Sequence, residues 1–451
     1  MRLRVMICGA AMATVLAAQA QADTIKAALA AAYNHNATLN AQRAATRAAD
    51  EALAQAKSGF RPIISGTASY GFVETSNNLT GSSSSNPYGY GITISQNLFN
   101  GFRTVNNIAA AEASIRGSRE QLRRIEQQTL QSAASAYVDV LEAREVVSIR
   151  SRNISFLSEQ FRSSQARLEV GEGTRTDVAQ SQARLGLARA TLSVARANLE
   201  TARAVYFQII GRRPKNLSWP SGPSYLYASS LQSAMQIAAN EHPAVRLSQH
   251  AVDAAAFNVK VREGAFLPQV SLNGSANRSF NQPTRGTRSS SLSATVNVTV
   301  PIYQGGLASS QVRERKEILA QSRIQVDEAR DQVRAGVVNA WSSLQAARSN
   351  ERANQGALRA ARLALSGVVE ERNVGQRTQL DVLDAQSTVL DSQIALLSAR
   401  KAKIAAGYAL VAAMGRLSSQ KLRLHVRHYQ PKEHYEAVKD LWFGLRTPSG
   451  R

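Results

Sequence analysis

Two aspartates, Asp381 and Asp384, are the residues of this sequence best placed to bind an ion. They lie in the stretch VGQRTQLDVLDAQ at 374–386. Side chains three residues apart share one face of a helix, and crowded carboxylates repel, raise one another's pKa and can bind cations. A twin stretch, VGEGTRTDVAQSQ at 170–182, has Gln180 in place of the second aspartate.

Local structure alone accounts for most of this duplication. Thr174 and Thr378 stand where helix N-caps belong, each with an aspartate three residues later, which is close to a capping box. The carboxylates are also favourable at a helix N-terminus. Gly171 and Gly375 are suited to end the preceding helices. Of the three aspartates in these two stretches, only Asp384 has no such local role.

No other group of residues indicates catalysis. His425, His428 and His434 make a metal site conceivable, but their spacing matches no familiar ligand set. The only cysteine is Cys8, and the sequence has no G-x-S-x-G-type elbow and no clustered His/Glu ligands. We therefore expect no enzyme activity, no cofactor and no resident metal.

The N-terminus has the features of a secretory signal peptide over residues 1–22. Arg2 and Arg4 precede an apolar run, and Ala20-Gln21-Ala22 forms a small-x-small cleavage site, so Asp23 is the expected first mature residue. The apolar run is too short for a membrane anchor, and no later run is long enough for a transmembrane helix. The mature chain then contains no cysteine.

The net charge of +22 would usually suggest a polyanionic partner. The basic residues are instead spread along Ala-rich segments without interleaved aromatic residues. We therefore expect no nucleic-acid binding.

An internal repeat organises the chain. The first repeat is predicted over 23–220 and the second over 221–417, followed by a basic, flexible tail at 418–451. Each repeat runs helix, strand, strand, long helix, turn and helix. The predicted bounds are 24–57, 62–73, 88–98, 102–169, 170–174 and 174–211 in the first, and 231–265, 268–280, 292–302, 306–373, 374–378 and 378–416 in the second.

The strands and helices of each repeat differ in kind. The runs 88–98 and 292–302 alternate apolar with small polar residues and have the length of membrane-spanning strands. The long helices would each extend on the order of 100 Å. After each turn, apolar residues recur every seven positions, as at Leu185, Leu192 and Leu199, which is typical of a coiled coil.

Four membrane-length strands cannot close a barrel alone, and open edges are costly in lipid. The barrel must therefore be shared between chains. A dimer would supply about eight strands and a trimer about twelve, and strand arithmetic does not choose between them.

With its signal peptide, its paired strands between long helices and its two V-G-x-x-T-x-x-D-V turns, the chain resembles the TolC-like outer membrane efflux proteins. The resemblance covers about Asp23 to Leu417. It implies a mainly α fold with membrane β: a homotrimer with a 12-stranded β-barrel, four strands per chain, continued by an α-helical coiled-coil barrel across the periplasm. It also implies an exit duct for drugs and type I secretion, docked through a periplasmic adaptor to an inner-membrane RND, ABC or MFS transporter.

The same resemblance assigns roles at the turns. Aspartates matching Asp381 and Asp384 narrow the pore, and in a trimer they would form a ring that divalent or trivalent cations block. An arginine matching Arg377 bonds to groups matching Thr176 and Asp177 and holds the end shut. The adaptor contacts residues matching Val170, Gly171, Val374 and Gly375. One departure is Arg372, which stands where well-known members have a latch tyrosine.

A trimeric surface adhesin with a coiled-coil stalk is the alternative. Such a protein would place its barrel strands once, at the C-terminus, whereas the strands here interrupt the helices twice. A periplasmic enzyme is a third class, without a supporting constellation of residues. The sequence leaves the cargo, the pump and the ion preference open.

Overall fold

The computed structural model describes residues 24–78, 81–448 and 450. The predicted signal peptide at 1–22, with Cys8 and the adjoining Asp23, lies outside the described residues. The helices are α1 Ile25–His35, α2 Ala37–Lys57, α3 Arg103–Glu169, α4 Arg175–Ile210, α5 Leu231–Glu241, α6 Pro243–Glu263, α7 Leu307–Asn373, α8 Gln379–Ala413 and α9 Pro431–Val438. The strands are β1 Ile63–Tyr70, β2 Val73–Asn77, β3 Gly81–Ser85, β4 Tyr88–Asn100, β5 Gln269–Phe280 and β6 Arg288–Thr299.

Four strands form one antiparallel sheet in the order β1-β4-β5-β6, and β2 pairs with β3 in a separate hairpin. The sheet joins strands from both repeats, because β4 of the first pairs with β5 of the second along its length. Long helices combined with a four-stranded sheet, in two repeats, confirm the predicted fold class.

The register gives the sheet one apolar and one polar face. Ile64 lies opposite Ile94, and Ala276 lies between Ile92 and Leu292, so these side chains share a face. Gln96, Arg278, Arg288 and Ser290 interrupt this face near the strand ends. The opposite face carries serine, threonine, asparagine and glycine, with Ile63 and Gln269 at the strand ends.

A bulge shifts one position in β4. The sequence pattern places Leu98 on the apolar face, but the pairing slips between Asn97 and Phe99, so that Phe99 lies opposite Val270. The extra residue of a bulge is left unpaired, and the residues beyond it change face. Phe99 then packs edge-on against Phe102, with ring centroids 5.2 Å apart.

Two of the predicted helices are interrupted at matching places in the repeats. The helix predicted at 24–57 is divided at Asn36, whose extended backbone and side-chain acceptor cap α2. The helix predicted at 231–265 is divided at His242, which is extended because it precedes Pro243. Because alanine-rich helical patterns run through both positions, the sequence predicted one continuous helix in each place.

Strand bounds also differ from the prediction. The strand predicted at 62–73 ends at Tyr70. The Gly71 N–H still donates to the Pro87 carbonyl over 2.8 Å, but Pro87 has no N–H to donate in return. The strand predicted at 292–302 is shifted to Arg288–Thr299 and stops before Pro301, which has no N–H to donate.

The tail predicted as flexible is folded against the sheet-bearing part of the chain. Helix α9 packs on α2, and Leu422 and Val438 are buried. His434 Nδ1 lies 3.1 Å from the fully buried carboxylate of Asp50, and a buried charge needs such a partner. The tail has no heptad pattern, and this packing could therefore not be predicted from the sequence.

The chain divides into two compact units. The tip unit comprises the described residues up to Ala32 with Ser132–Gly222 and Ser349–Ala405. In it, the heptad leucines Leu185, Leu192 and Leu199 of α4 are buried, with small alanines between them. The sheet unit comprises Tyr33–Gln131, Pro223–Arg348 and Ala406–Arg451. Among the described residues, no helix has the length and apolar character needed to cross a membrane.

The break at His242 makes stability sensitive to pH. Burial, together with Arg123 and Arg124, lowers the pKa of His242 from its usual 6.5 to about 4. Between these values the unfolded chain binds a proton that the native chain does not, so stability is full above pH 6.5 and falls as the pH drops toward 4. A shift of this size corresponds to about 3 kcal/mol.

We expect His242→Asn to remove most of this pH dependence, because asparagine is uncharged and keeps an acceptor for the Ala244 N–H that His242 caps over 3.2 Å. Thermal unfolding in detergent at pH 7.5 and 4.5 measures it. His250→Asn, at another histidine of the same helix, is the matched control and should behave like the parent. An unchanged acid sensitivity in His242→Asn would contradict the assignment.

Candidate functional site

Both duplicated turns close in the same way. Gly171 and Gly375 each have a φ of 81°, a left-handed conformation that favours glycine. The Gly375 N–H donates to the Arg372 carbonyl over 3.0 Å, as a helix C-cap does. Val170 and Val374, which precede the two glycines, are each 71% exposed. The four predicted adaptor-contact residues therefore lie at two accessible, equivalent turns.

Each helix that follows a turn begins with a capping box. The Asp177 N–H donates to Thr174 Oγ1 over 3.1 Å, while Asp177 Oδ2 accepts from the Thr174 N–H over 3.1 Å. Thr378 and Asp381 repeat this arrangement over 3.2 and 2.9 Å. Hydrogen bonds from the backbone and side chain of Thr378, with Arg377 nearby, lower the pKa of Asp381. Its carboxylate is thus ionised, and one of its oxygens caps the helix.

Asp384 has a counter-ion in its own chain. Its Oδ1 lies 2.7 Å from Arg184 Nη2 on α4, and the two side chains are about half exposed. The structure therefore brings the two predicted pore aspartates onto one stretch of α8 but gives them different partners. The sequence analysis missed Arg184, because nothing in the α4 pattern marks it among the other exposed arginines.

Arg377 is engaged within its own turn. Its Nε donates to Glu371 Oε2 over 2.8 Å. Asp177 is occupied by its capping role, and Thr176 is exposed on α4. The bond predicted from Arg377 to Thr176 and Asp177 is therefore not formed within the chain, and between neighbouring chains it stays a prediction.

A row of polar contacts joins α3 to α7 and α8, which with the turn between them form the second hairpin; α3 and α4 form the first. Arg372 Nη1 and Gln379 Nε2 both donate to Gln160 Oε1 over 3.1 Å. Two helical turns away, Gln386 Nε2 donates to Asn153 Oδ1 over 3.1 Å. We call these four amide residues, Asn153, Gln160, Gln379 and Gln386, the polar seam. The sequence offered a signal for it, since the amides recur at seven-residue spacing on both helices.

Arg372 has no carboxylate among its hydrogen-bond acceptors, which are amide oxygens. Burial and the nearby Arg167 lower the pKa of its guanidinium. An amide oxygen compensates a buried cation less well than a carboxylate does. Arg372, at the position where the resemblance implies a latch tyrosine, is thus a charged side chain whose hydrogen-bond acceptors are neutral amides.

The polar seam continues into an ionic group. Lys401 Nζ lies 2.6 Å from Glu142 Oε2 and 3.1 Å from Asp139 Oδ1. Burial opposes charge on Lys401, but the hydrogen bonds to the two carboxylates outweigh it and raise the pKa of the amine. Between the two contacts of the polar seam, Gln160–Gln379 and Asn153–Gln386, Leu383 packs with Leu157 and Leu185 in a small apolar cluster.

The histidines of the tail do not converge. His428 faces the Ser419 hydroxyl over 3.2 Å, and His434 pairs with Asp50. Within the parts of the chain that the structure describes, no three His, Cys, Asp or Glu side chains form a group that could hold a metal ion.

The sequence profile of the outer membrane efflux protein family matches residues 28–212 and 234–416, once for each repeat. The chain belongs to the outer membrane efflux protein family. The chain is 45% identical to the outer membrane efflux protein BepC of Brucella suis over 449 residues, which are 97% of this chain and 95% of BepC. The alkaline protease secretion protein AprF of Pseudomonas aeruginosa is 25% identical over 277 residues, 60% of this chain and 57% of AprF.

The fold agrees with this assignment. The structure of the Campylobacter jejuni CmeC outer membrane channel superposes with a TM-score of 0.75 at 17% identity, covering 92% of this chain and 89% of CmeC. Long helices with a four-stranded sheet are the protomer fold of TolC-like trimeric channels. The family member described here is an outer membrane efflux channel that spans the outer membrane and the periplasm, and it is not an enzyme.

Proposed function

We propose that three chains assemble so that their sheets close one twelve-stranded barrel, with helices α3, α4, α7 and α8 forming the duct below it. The observation that supports this most directly is the sheet itself. Strands β1 and β6 stand at its two edges, and an edge left open in lipid is costly. Its apolar face has exposed side chains on each of the four strands, such as Ile64, Ile92, Leu272 and Leu292, and suits lipid, while its hydroxyl and amide face suits a wet lumen.

We further propose that the turns of the tip unit form a gate that opens along the polar seam. Hydrogen bonds between neutral amides contribute little net stability where water can replace them. Separating the second hairpin from α3 along the polar seam therefore costs little free energy. Asp381 and Asp384 would line the narrowed end, with the bond from Arg377 to Thr176 and Asp177 of the neighbouring chain as a further closure.

The partners are also a proposal. A periplasmic adaptor docks at the turns through Val170, Gly171, Val374 and Gly375, and an inner-membrane RND, ABC or MFS transporter supplies the energy. The accessibility of both valines at two equivalent turns supports this, because a docking partner could reach them. The adhesin alternative is disfavoured, because β1–β4 and β5–β6 lie between helices rather than at the C-terminus.

We propose drugs and other toxic compounds as the main cargo, with type I protein secretion as a second. The 45% identity to BepC over most of both chains supports efflux, and the name of AprF supports secretion. Deletion of the coding sequence should lower resistance to a panel of toxic compounds or deplete secreted proteins, because cargo would have no exit. Re-expression of the wild-type chain is the control. Unchanged resistance together with an unchanged secretome, in a strain lacking similar channels, would refute the proposal.

A further inference from the structure

The C-terminal tail ends in an apolar segment that the protein exposes. In the stretch LWFGLR at 441–446, Trp442 is 66% exposed, Phe443 93% and Leu445 103%. Single exposed apolar residues are common on proteins, but contiguous ones indicate an interaction surface. We call residues 441–446 the aromatic segment.

The aromatic segment is held at a defined place. Lys57 Nζ, at the end of α2, lies 2.6 Å from Asp440 Oδ1. Arg61 Nη1 donates to the Leu441 carbonyl over 2.6 Å, and the Arg61 guanidinium lies 4.7 Å from the centre of the Trp442 ring. These contacts involve Asp440, which directly precedes the aromatic segment, and Leu441 and Trp442, its first two residues. Because Arg61 is two residues before β1, they fix the segment beside the helix-proximal end of the sheet.

The support behind the segment is folded. Val438 of α9 is buried, the Tyr429 N–H donates to Tyr33 Oη over 2.9 Å, and His434 pairs with Asp50. The exposure of Trp442 and Phe443 is therefore not that of a loose terminus. A folded part of the tail holds these aromatic side chains in their exposed positions.

The surroundings of the segment continue the apolar face of the sheet. Phe60, just before β1, is 53% exposed, and Ile64, which lies on the apolar face near the start of β1, is 65% exposed. Arg61 and Arg446 place positive charges beside this apolar surface. Tryptophan with neighbouring arginine is the composition enriched where a membrane meets water, since the indole lies at headgroup level and guanidinium groups reach phosphate.

We propose that the aromatic segment is a membrane-interface anchor that inserts Trp442, Phe443 and Leu445 among the phospholipids of the periplasmic leaflet of the outer membrane. The channel spans the outer membrane and the periplasm, and with the sheet in lipid and the helices in the periplasm, as proposed above, the helix-proximal end of the sheet meets that leaflet. The inference rests on the proposed placement of the sheet in lipid. It adds a non-barrel contact that ties the folded tail, and through it α2, to the membrane surface.

The test uses tryptophan fluorescence in proteoliposomes. The sequence has three tryptophans, so Trp219→Phe with Trp341→Phe leaves Trp442 as the only emitter. Vesicles of phosphatidylethanolamine and phosphatidylglycerol contain lipids brominated either near the headgroup or near the chain ends. We expect about twofold or stronger quenching by bromine near the headgroup than by bromine near the chain ends, because an interfacial indole lies at that depth.

A second probe separates this inference from the proposed function. Leu292 is 87% exposed on the apolar face of β6, and Leu292→Trp in a chain with all three native tryptophans changed to phenylalanine reports the sheet alone. Quenching of the Leu292→Trp probe without quenching of Trp442 would overturn the anchor and leave the barrel intact. A blue-shifted but unquenched Trp442 would also overturn it, in favour of a protein surface such as a second copy. If neither probe is quenched, the lipid placement of the sheet fails, and the anchor with it.

Discussion

Export will fall to the level of a deletion strain when Asn153 and Gln386 are both replaced by cysteine and joined by a short thiol-specific cross-linker. The two side chains meet over 3.1 Å across the polar seam, and a covalent link would prevent the parting of α3 from α8 by which we propose that the channel opens. Cys8, the only native cysteine, lies in the predicted signal peptide, so the reagent meets only the introduced thiols. Dye efflux from cells before and after cross-linking measures the effect.

The matched control joins two helices of one hairpin. Ser164 and Ser181 lie on α3 and α4 with their hydroxyl oxygens 3.1 Å apart, so a Ser164→Cys/Ser181→Cys pair can be linked in the same way. We expect export to persist in that variant, because the hairpin moves as a unit. Both double variants should export normally before cross-linking. Equal export from the two cross-linked proteins would contradict a gate at the polar seam.

The second large effect is expected on cation block. Asp381→Ala combined with Asp384→Ala should raise the concentration of a divalent or trivalent cation that half-blocks the channel by at least about tenfold, or roughly 1.4 kcal/mol. In a trimer the change removes every carboxylate of the proposed ring, and such cations prefer clustered oxygen ligands. Single-channel recording in planar bilayers, with cation added on the side of the tip, measures the block.

The structure supplies three controls for this experiment. Thr378→Ala removes the capping box but keeps the carboxylates, so the block should remain. Asp391→Ala removes an exposed aspartate two turns further along α8 and should also leave it unchanged. Arg184→Ala frees Asp384 from its counter-ion and should strengthen the block. A double aspartate variant that is blocked like the parent would show that the ring is not the cation site.

The sheet and the repeats were predictable, because each depends on a pattern among residues that are close together in the sequence. Alternation along Tyr88 to Ile94 selects a strand with one apolar face, and the twin Gly, Thr and Asp of the turns are what a C-cap and a capping box need. The heptad leucines of α4 likewise predicted which of its residues are buried. These features depend on near neighbours in sequence.

What the sequence did not reveal depends on partners far along the chain. The Asp384–Arg184 pair and the Arg372–Gln160 contact join residues about two hundred positions apart, and no local pattern marks either. The fold of the tail depends on burial of Asp50, nearly four hundred positions from His434. Single residues also decided the helix breaks, since Asn36 and Pro243 outweigh an otherwise continuous helical pattern.

The polar face of the sheet bears on which molecules the channel would pass. Along β1, β4, β5 and β6, the positions of this face alternate with the apolar ones, and they carry no charged side chain. A lumen lined in this way would offer neutral hydroxyl and amide groups to anions, cations and uncharged solutes alike, with little electrostatic discrimination. Ionic selectivity would then depend on the acids and arginines of α4 and α8. The membrane portion would limit the size of the solutes that pass, and the periplasmic end would decide whether anions or cations pass.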